Sequence, residues 1–251
     1  VREIAKKLTS YKKVGGREMV DTKGLYVTED YEFFIRMFGG SLFSPDGIAR
    51  QPRRLLAYNG SLYISCFDGS LVELDTLSLS VSRMTSLGRN PEHLTVANNK
   101  IYVSNSGGLD YPYYDATVSV VDINSFSEIK RISVGTNPGC IGASATGDVY
   151  VVSRGAYGTE DYTLHKIDTE IDTVIRSFQD IHPLGFCIEG DYLYMYNYNF
   201  TTQSNWIRRF NCLDDCFDNW AIDSPAELET PYSIKVNSAT GEIFITDAKN
   251  F

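Results

Sequence analysis

The stretch Asn99-Lys100-Ile101-Tyr102-Val103-Ser104-Asn105 decides the fold. Ile101 and Val103 alternate with Tyr102 and Ser104, and β-branched and aromatic side chains at period 2 are the pattern of a strand. The same shape returns as Tyr26-Val27-Thr28, Leu62-Tyr63-Ile64-Ser65, Val149-Tyr150-Val151-Val152, Leu193-Tyr194-Met195-Tyr196 and Ile243-Phe244-Ile245-Thr246. The aromatic positions 26, 63, 102, 150, 194 and 244 are 37, 39, 48, 44 and 50 residues apart. Repeats of about 40–50 residues that each hold several strands indicate a blade array.

Two further landmarks keep the same beat. Pro52, Pro91, Pro138, Pro183 and Pro231 precede the aromatic residue by 11, 11, 12, 11 and 13 positions. Asp75, Asp122, Asp168 and Asn211 precede the following proline by 16, 16, 15 and 20 positions. Each module therefore reads as four strands. Strand A covers Leu55–Tyr58, Leu94–Ala97, Cys140–Ala143, Phe186–Ile188 and Ser233–Val236, and strand B is the aromatic one. Strand C covers Leu71–Leu74, Val118–Val121, Leu164–Ile167 and Trp206–Phe210; strand D covers Val81–Met84, Ile129–Val134 and Val174–Phe178. Asn59-Gly60 and Thr146-Gly147 suit tight A–B turns, because both tolerate positive φ. No segment with a sustained 3.6 period lies between the strands, which excludes a parallel βαβ architecture.

The expectation is an all-β propeller of four-stranded antiparallel blades in one domain over residues 1–251. Five to six blades are visible, near 25–51, 52–90, 91–137, 138–182 and 183–230, with a partial one at 231–251. Residues 1–24 fit least well; Val1–Leu8 is assigned to a strand rather than a short helix. The pattern breaks off after the last aromatic strand and the chain begins with Val1. A fragment of a longer ring is expected over a six-bladed ring closed by the N-terminal segment.

Bulk properties narrow the function. Seventeen Tyr against two Trp favour strands and amphipathic surfaces. A formal charge of −9 repels phosphate backbones, so nucleic acid is not expected as a partner. No run of 18 apolar residues exists, so any membrane attachment would need a lipid anchor outside this chain. The five cysteines are too few and too odd in number for a disulfide framework. Cys66, Cys140 and Cys187 fall on apolar strand positions. Cys212 and Cys216 either pair in an oxidising compartment or are two unrelated thiols beside a turn.

The B–C interval varies most, at 12, 20, 18 and 17 residues. In a propeller the B–C loops and D–A connections share one rim, and variable loops on a regular scaffold mark the binding face. The candidate ligand-binding residues all lie there. Loop 106–116 contributes Asp110, Tyr111, Tyr113 and Tyr114, after Asn105. Loop 155–162 contributes Tyr157 and Tyr162, after Arg154, and loop 197–206 contributes Tyr198 and Trp206. The D–A connections add Arg89, Asn90, Glu92, His93 and Asn137. Rigid aromatics with polar neighbours suit a bulky, partly apolar ligand or another protein. The alternative for each tyrosine is a ring packed between blades with its hydroxyl satisfied.

There is no nucleophile elbow, phosphate-cradling glycine loop, HExxH or paired CxxC, so no catalytic residue, metal or cofactor is assigned. His165 alternates within strand C and reads as structural. His93 and His182 read as equivalent positions after strand D, where a metal would need Glu92 as a further ligand. Asp214, Asp215 and Asp218 read as a solvated acidic turn.

Ile101-Tyr102-Val103-Ser104-Asn105, with Tyr26-Val27-Thr28 and Tyr150-Val151-Val152-Ser153, resembles the YVTN repeat of YncE-like and surface-layer propellers. Gly88-Arg89-Asn90-Pro91-Glu92 and Gly135-Thr136-Asn137-Pro138 fit that pattern. Thr230–Ile234, Thr240–Ile243 and Thr246–Ala248 look like a late blade of the Bacteroidetes branch. The resemblance covers about residues 45–251. It implies a secreted, lipid-anchored, non-enzymatic propeller, usually of seven blades, at the cell surface or in the periplasm. Some members, the BtuG-type proteins, capture cobalamin and hand it to a TonB-dependent outer-membrane transporter, so a corrinoid and such a transporter are the partners implied. The rival expectations are a propeller lactonase or quinoprotein-like oxidoreductase, and a single-strand nucleic-acid binder.

Overall fold

The computed structural model describes residues 51–75, 80–159, 161–222 and 228–249, together with the backbone of 11–14 and 17–20. The expected blade at 25–51, apart from Gln51, and the expected strand at Val1–Leu8 lie outside the described residues. Strands β1 (Tyr11–Val14) and β2 (Arg17–Val20) form a two-stranded hairpin.

Four sheets of four antiparallel strands follow, each in simple up-and-down order. They are β3–β6 (Pro52–Tyr58, Ser61–Cys66, Ser70–Asp75, Val81–Ser86) and β7–β10 (Pro91–Ala97, Lys100–Asn105, Thr117–Asp122, Ser127–Ser133). The next two are β11–β14 (Pro138–Ala143, Val149–Ser153, Thr163–Asp168, Thr173–Phe178) and β15–β18 (Gly185–Glu189, Tyr192–Tyr198, Asn205–Asn211, Cys216–Phe217). A two-stranded sheet, β19–β20 (Pro231–Val236, Ile243–Asp247), completes the series. The first strands touch in succession, β3 to β7 to β11 to β15 to β19, so each blade points its strand A at a common axis. The described residues contain no helix. The molecule is a β-propeller.

Local chemistry explains the elements. Asn59 and Gly60 both have positive φ, as do Asn98 and Asn99, so two-residue turns close β3–β4 and β7–β8 with the twist a hairpin needs. Strand A starts earlier than its apolar run predicts, at the landmark proline in four of the five sheets. A proline at a first strand position forfeits no ladder hydrogen bond. The residue before it, Gln51, Asn90, Asn137 or His182, has a left-handed φ of 59°, 44°, 56° or 48° that turns the chain into the next blade. The middle strands of the first three four-stranded blades are buried on both faces (β8 and β9 almost throughout), while outer β6 alternates.

The core is a series of seams between blades. Tyr63, Leu71, Ile101 and Val121 join the first two blades, and Tyr102, Val118, Val149 and Ile167 join the second and third. Tyr150, Leu164, Met195 and Phe210 join the third and fourth, and Tyr196 and Ile234 reach the fifth sheet. Three of the recurring tyrosines meet the residue just before strand D of the following blade. Tyr63 stacks on Phe126 at 6.1 Å, Tyr102 donates its hydroxyl to Asp172, and Tyr150 donates to Asp215 at 3.1 Å. Those three turn residues share a left-handed φ of 52°, 52° and 51°.

In the acidic turn of the fourth blade Asp214 is exposed, as a solvated turn requires, but Asp215 and Asp218 form a joint. Asp215 accepts from Lys166 at 3.0 Å and from Arg176 at 3.2 Å, and Asp218 pairs with Arg209. Cys212 and Cys216 do not pair; all five cysteines are free, and only Cys216 is exposed.

Candidate functional site

The B–C and D–A connections meet on one rim. The Arg89 amide donates to Asp115 Oδ2 at 3.0 Å, Asn90 Nδ2 donates to the Phe67 carbonyl at 2.9 Å, and the Arg154 amide donates to the Asn137 carbonyl at 3.0 Å. The best-built feature there is loop 106–116. Gly107 has a φ of +60°, and a Cβ on it would strike the Asp115 amide. The Leu109 amide donates to Asn90 Oδ1 at 3.1 Å. The Arg89 guanidinium then spans the loop, donating to Asp110 at 2.9 Å and to the Tyr114 carbonyl at 3.0 Å. Thus anchored, the loop projects Leu109, Tyr111 and Tyr113, the two rings 67 % and 76 % exposed. Tyr114 meets Tyr111 edge-on at 6.1 Å. Below the loop, between the first and second blades, lies a hollow of about 530 Å³ bounded by Phe67, Asp68, Arg89, Asp110, Asp115 and Arg131.

The remaining candidates fall into two groups. Tyr157, on the next loop, is 85 % exposed. Asn105, Tyr162 and Tyr198 are buried in the scaffold, and Trp206 is half-buried in β17 against Phe217. Asn105 donates to Thr117 Oγ1 at 3.0 Å and to Ser119 Oγ at 2.9 Å. Asn90 and Asn137 are the left-handed residues ahead of the prolines.

His93 and Arg154 face elsewhere. β3, β7, β11 and β19 each carry an irregularity in register just after the proline. A bulge of this kind re-aims side chains. In β7 it takes Glu92 and His93 out of the ladder. Glu92 is buried and receives Arg53 Nε at 2.9 Å, which leaves it committed to an ion pair. His93 faces the axial channel, and His182, on the rim, is not its equivalent as the sequence had implied: it matches Asn90 and Asn137. The channel holds about 520 Å³. Arg154 lies over Gly139, where a Cβ would come within 2.7 Å of its Cζ, so a larger residue there would push the guanidinium aside. Arg54 and Lys235 line the same cavity from β3 and β19. Sequence reading missed these two, although Arg54 sits two residues after its landmark proline as His93 does.

Burial tunes the titratable groups. His165 is held down to about 4 by burial. Its Nε2 accepts the Gly135 amide at 3.1 Å, so Nδ1 carries the proton and faces Ser177 Oγ at 2.8 Å. Burial pushes the Cys66, Cys187 and Cys212 thiols up to about 12 and raises Cys140, which makes them poor nucleophiles. Burial first, then the charges of Arg54, Arg154, Arg53 and Lys235, lowers His93 well below the usual imidazole range. Among the described residues no three His, Cys, Asp or Glu side chains converge as a metal set.

No protein-family model matches the chain, and no curated protein matches it. Among solved structures it is similar to Kuenenia stuttgartiensis hydrazine synthase, at 21 % identity and a TM-score of 0.66 over 85 % of this chain. The match spans 60 % of that longer chain. The WD40 β-propeller domain of Doa1 matches 58 % of this chain and 46 % of its own, at 11 % identity and a TM-score of 0.44. At such identity the likeness to hydrazine synthase supports the propeller fold and nothing narrower.

Proposed function

We propose that this chain is a non-enzymatic binding propeller that takes its partner on the rim bearing loop 106–116. One observation carries the reading. Leu109, Tyr111 and Tyr113 stand in solvent on a loop fixed from beneath by Arg89, beside a hollow large enough for part of a ligand. Exposed aromatics on an ordered support lose little entropy on binding and offer both apolar faces and hydroxyl edges. A bulky ligand with an apolar body and amide or hydroxyl edges fits that chemistry, a corrinoid being one. A TonB-dependent outer-membrane transporter is the protein partner proposed. The resemblance to YVTN-repeat surface propellers supports this reading, with a place at the cell surface or in the periplasm.

Calorimetric titration with cobalamin and with cobinamide tests the ligand. Binding that weakens by about tenfold or more in Tyr113→Ala supports the proposal. Absence of heat from both corrinoids at roughly 50 μM discards the corrinoid, since a dedicated capture protein must bind below that range.

A further inference from the structure

The axial channel is a second cavity, apart from the hollow on the rim. Its walls are apolar along Leu55, Leu94, Ile141, Phe186 and Ile234. Among the described residues its charged lining consists of Arg54, Arg154 and Lys235, with Glu189 as the carboxylate. Glu189 also accepts a hydrogen bond from Ser238 at 2.8 Å. Three cations around one carboxylate contrast with a chain whose net charge is −9.

Two polar nitrogens there are unspent. Arg154 Nε and His93 Nε2 are shut off from solvent without a hydrogen-bond partner. Burying a polar group unpaired is costly, and an arginine held unpaired by a glycine cradle needs a reason. The cradle is locked in place. Ser104 Oγ donates to the Gly139 carbonyl at 2.6 Å and accepts the His93 amide at 3.2 Å, which ties the two inner strands together. Arg154 is thus held without a partner, and a guanidinium presents a planar fork of donors suited to carboxylate or phosphate oxygens. The low-dielectric walls concentrate the positive field at the axis.

We infer that the channel binds a small organic anion, its carboxylate or phosphate head on Arg154 with Arg54 and Lys235 around it, and its apolar body along the inner strands.

The test is calorimetry at low salt with phenyl phosphate, benzoate and inorganic phosphate as probes. Phenyl phosphate or benzoate is expected to bind, and inorganic phosphate about tenfold more weakly for want of an apolar body. Which of the two aromatic probes binds tighter tells a phosphate site from a carboxylate site. Arg154→Met, which keeps an unbranched side chain over Gly139, should weaken binding about tenfold or more. Lys235→Met, at an exposed position, should weaken it about threefold and guards against misfolding of the first variant. Lys130→Met removes the same charge from outer strand β10 and should change binding less than about twofold. Silence from both aromatic probes at roughly 1 mM overturns the inference, since that leaves no useful affinity. So does equal weakening in Lys130→Met, or unchanged affinity in both channel variants. Tyr113→Ala separates the sites: an effect as large as that of Arg154→Met would put the anion on the rim and refute the channel, without bearing on corrinoid binding.

Discussion

His165 makes a sharp prediction about pH. Its side chain is buried between strands β12 and β14, and both ring nitrogens are engaged, Nε2 as acceptor from Gly135 and Nδ1 as donor to Ser177. Protonation would place a second N–H where the Gly135 amide already donates. Burial holds the ring near 4 against an ordinary value of 6.5. Between those values the unfolded chain binds a proton that the folded chain refuses, so stability rises with pH through this window. The contribution is complete above about pH 6.5 and is lost as pH falls toward 4. The arithmetic of two such pKa values gives a loss of about 2 kcal/mol between pH 7 and 5, and about 3 kcal/mol by pH 4. The assay is urea unfolding at half-unit steps from pH 7 to 5, where carboxylates contribute least, on the parent chain and on His165→Gln. Glutamine keeps an acceptor near Gly135 but cannot titrate. The variant starts lower, because packing is lost, and its stability should then fall by about 2 kcal/mol less across the window. His93, also held low by burial, titrates in both proteins and cancels in the difference. Parallel pH curves, or a ring titration by NMR near 6.5, would refute the argument.

The remaining predictions concern the joints and the rim. Tyr102→Phe should cost about 1–2 kcal/mol in urea unfolding, since Asp172 keeps its ion pair with Lys100 at 2.8 Å. Asp172→Asn should cost more, about 3 kcal/mol, by stranding the nearly buried Lys100 ammonium; equal losses would mean that the lysine does not depend on the pair. Arg89→Ala should leave stability within about 1 kcal/mol, because its ion pairs are exposed. Amide exchange across residues 109–114 should nonetheless speed up, and protection unchanged there would show that the loop orders itself without Arg89. In the native protein one thiol per chain, Cys216, should react quickly with a disulfide reagent, and all five after unfolding.

The sequence made the repeat legible because the seam tyrosines occupy one register position that tolerates little change. It did not make the start of strand A legible. The pattern rule looks for apolar alternation, and the first residues of β7 and β11 are bulged, so Glu92-His93 and Gly139-Cys140 break the alternation while remaining in the strand. The same bulges hid the channel, since a local change of register decides which side chain faces the axis. The mixed character of the rim candidates has another cause. Asn90 and Asn137 are polar and sit in loops, as a ligand contact would, but asparagine also tolerates the left-handed φ that the turn before the proline requires. Composition cannot separate those two demands. The rim candidates among the tyrosines divide on length of reach: Tyr162 and Tyr198, near the strands, are buried, while Tyr111, Tyr113 and Tyr157, farther out on long loops, reach solvent.

That division explains why a ring of this kind can vary its rim at all. The repeat motif fixes each blade to the next at two places away from the loops. The tyrosine reaches the turn before strand D, and the serine two residues later donates to a carbonyl of the next inner strand: Ser65 to Glu92 and Ser104 to Gly139, both at 2.6 Å. In the third blade Val152 stands where that serine would be, and Cys140 Sγ takes over the task, donating to the Phe186 carbonyl at 3.2 Å. A lost joint was thus replaced by another group on the same seam, not by a rim residue. The seams leave the crest of loop 106–116 and the guanidinium of Arg154 unused. Tyr113 and Arg154 can therefore be exchanged with little loss of cohesion between blades, so their variants read binding rather than folding.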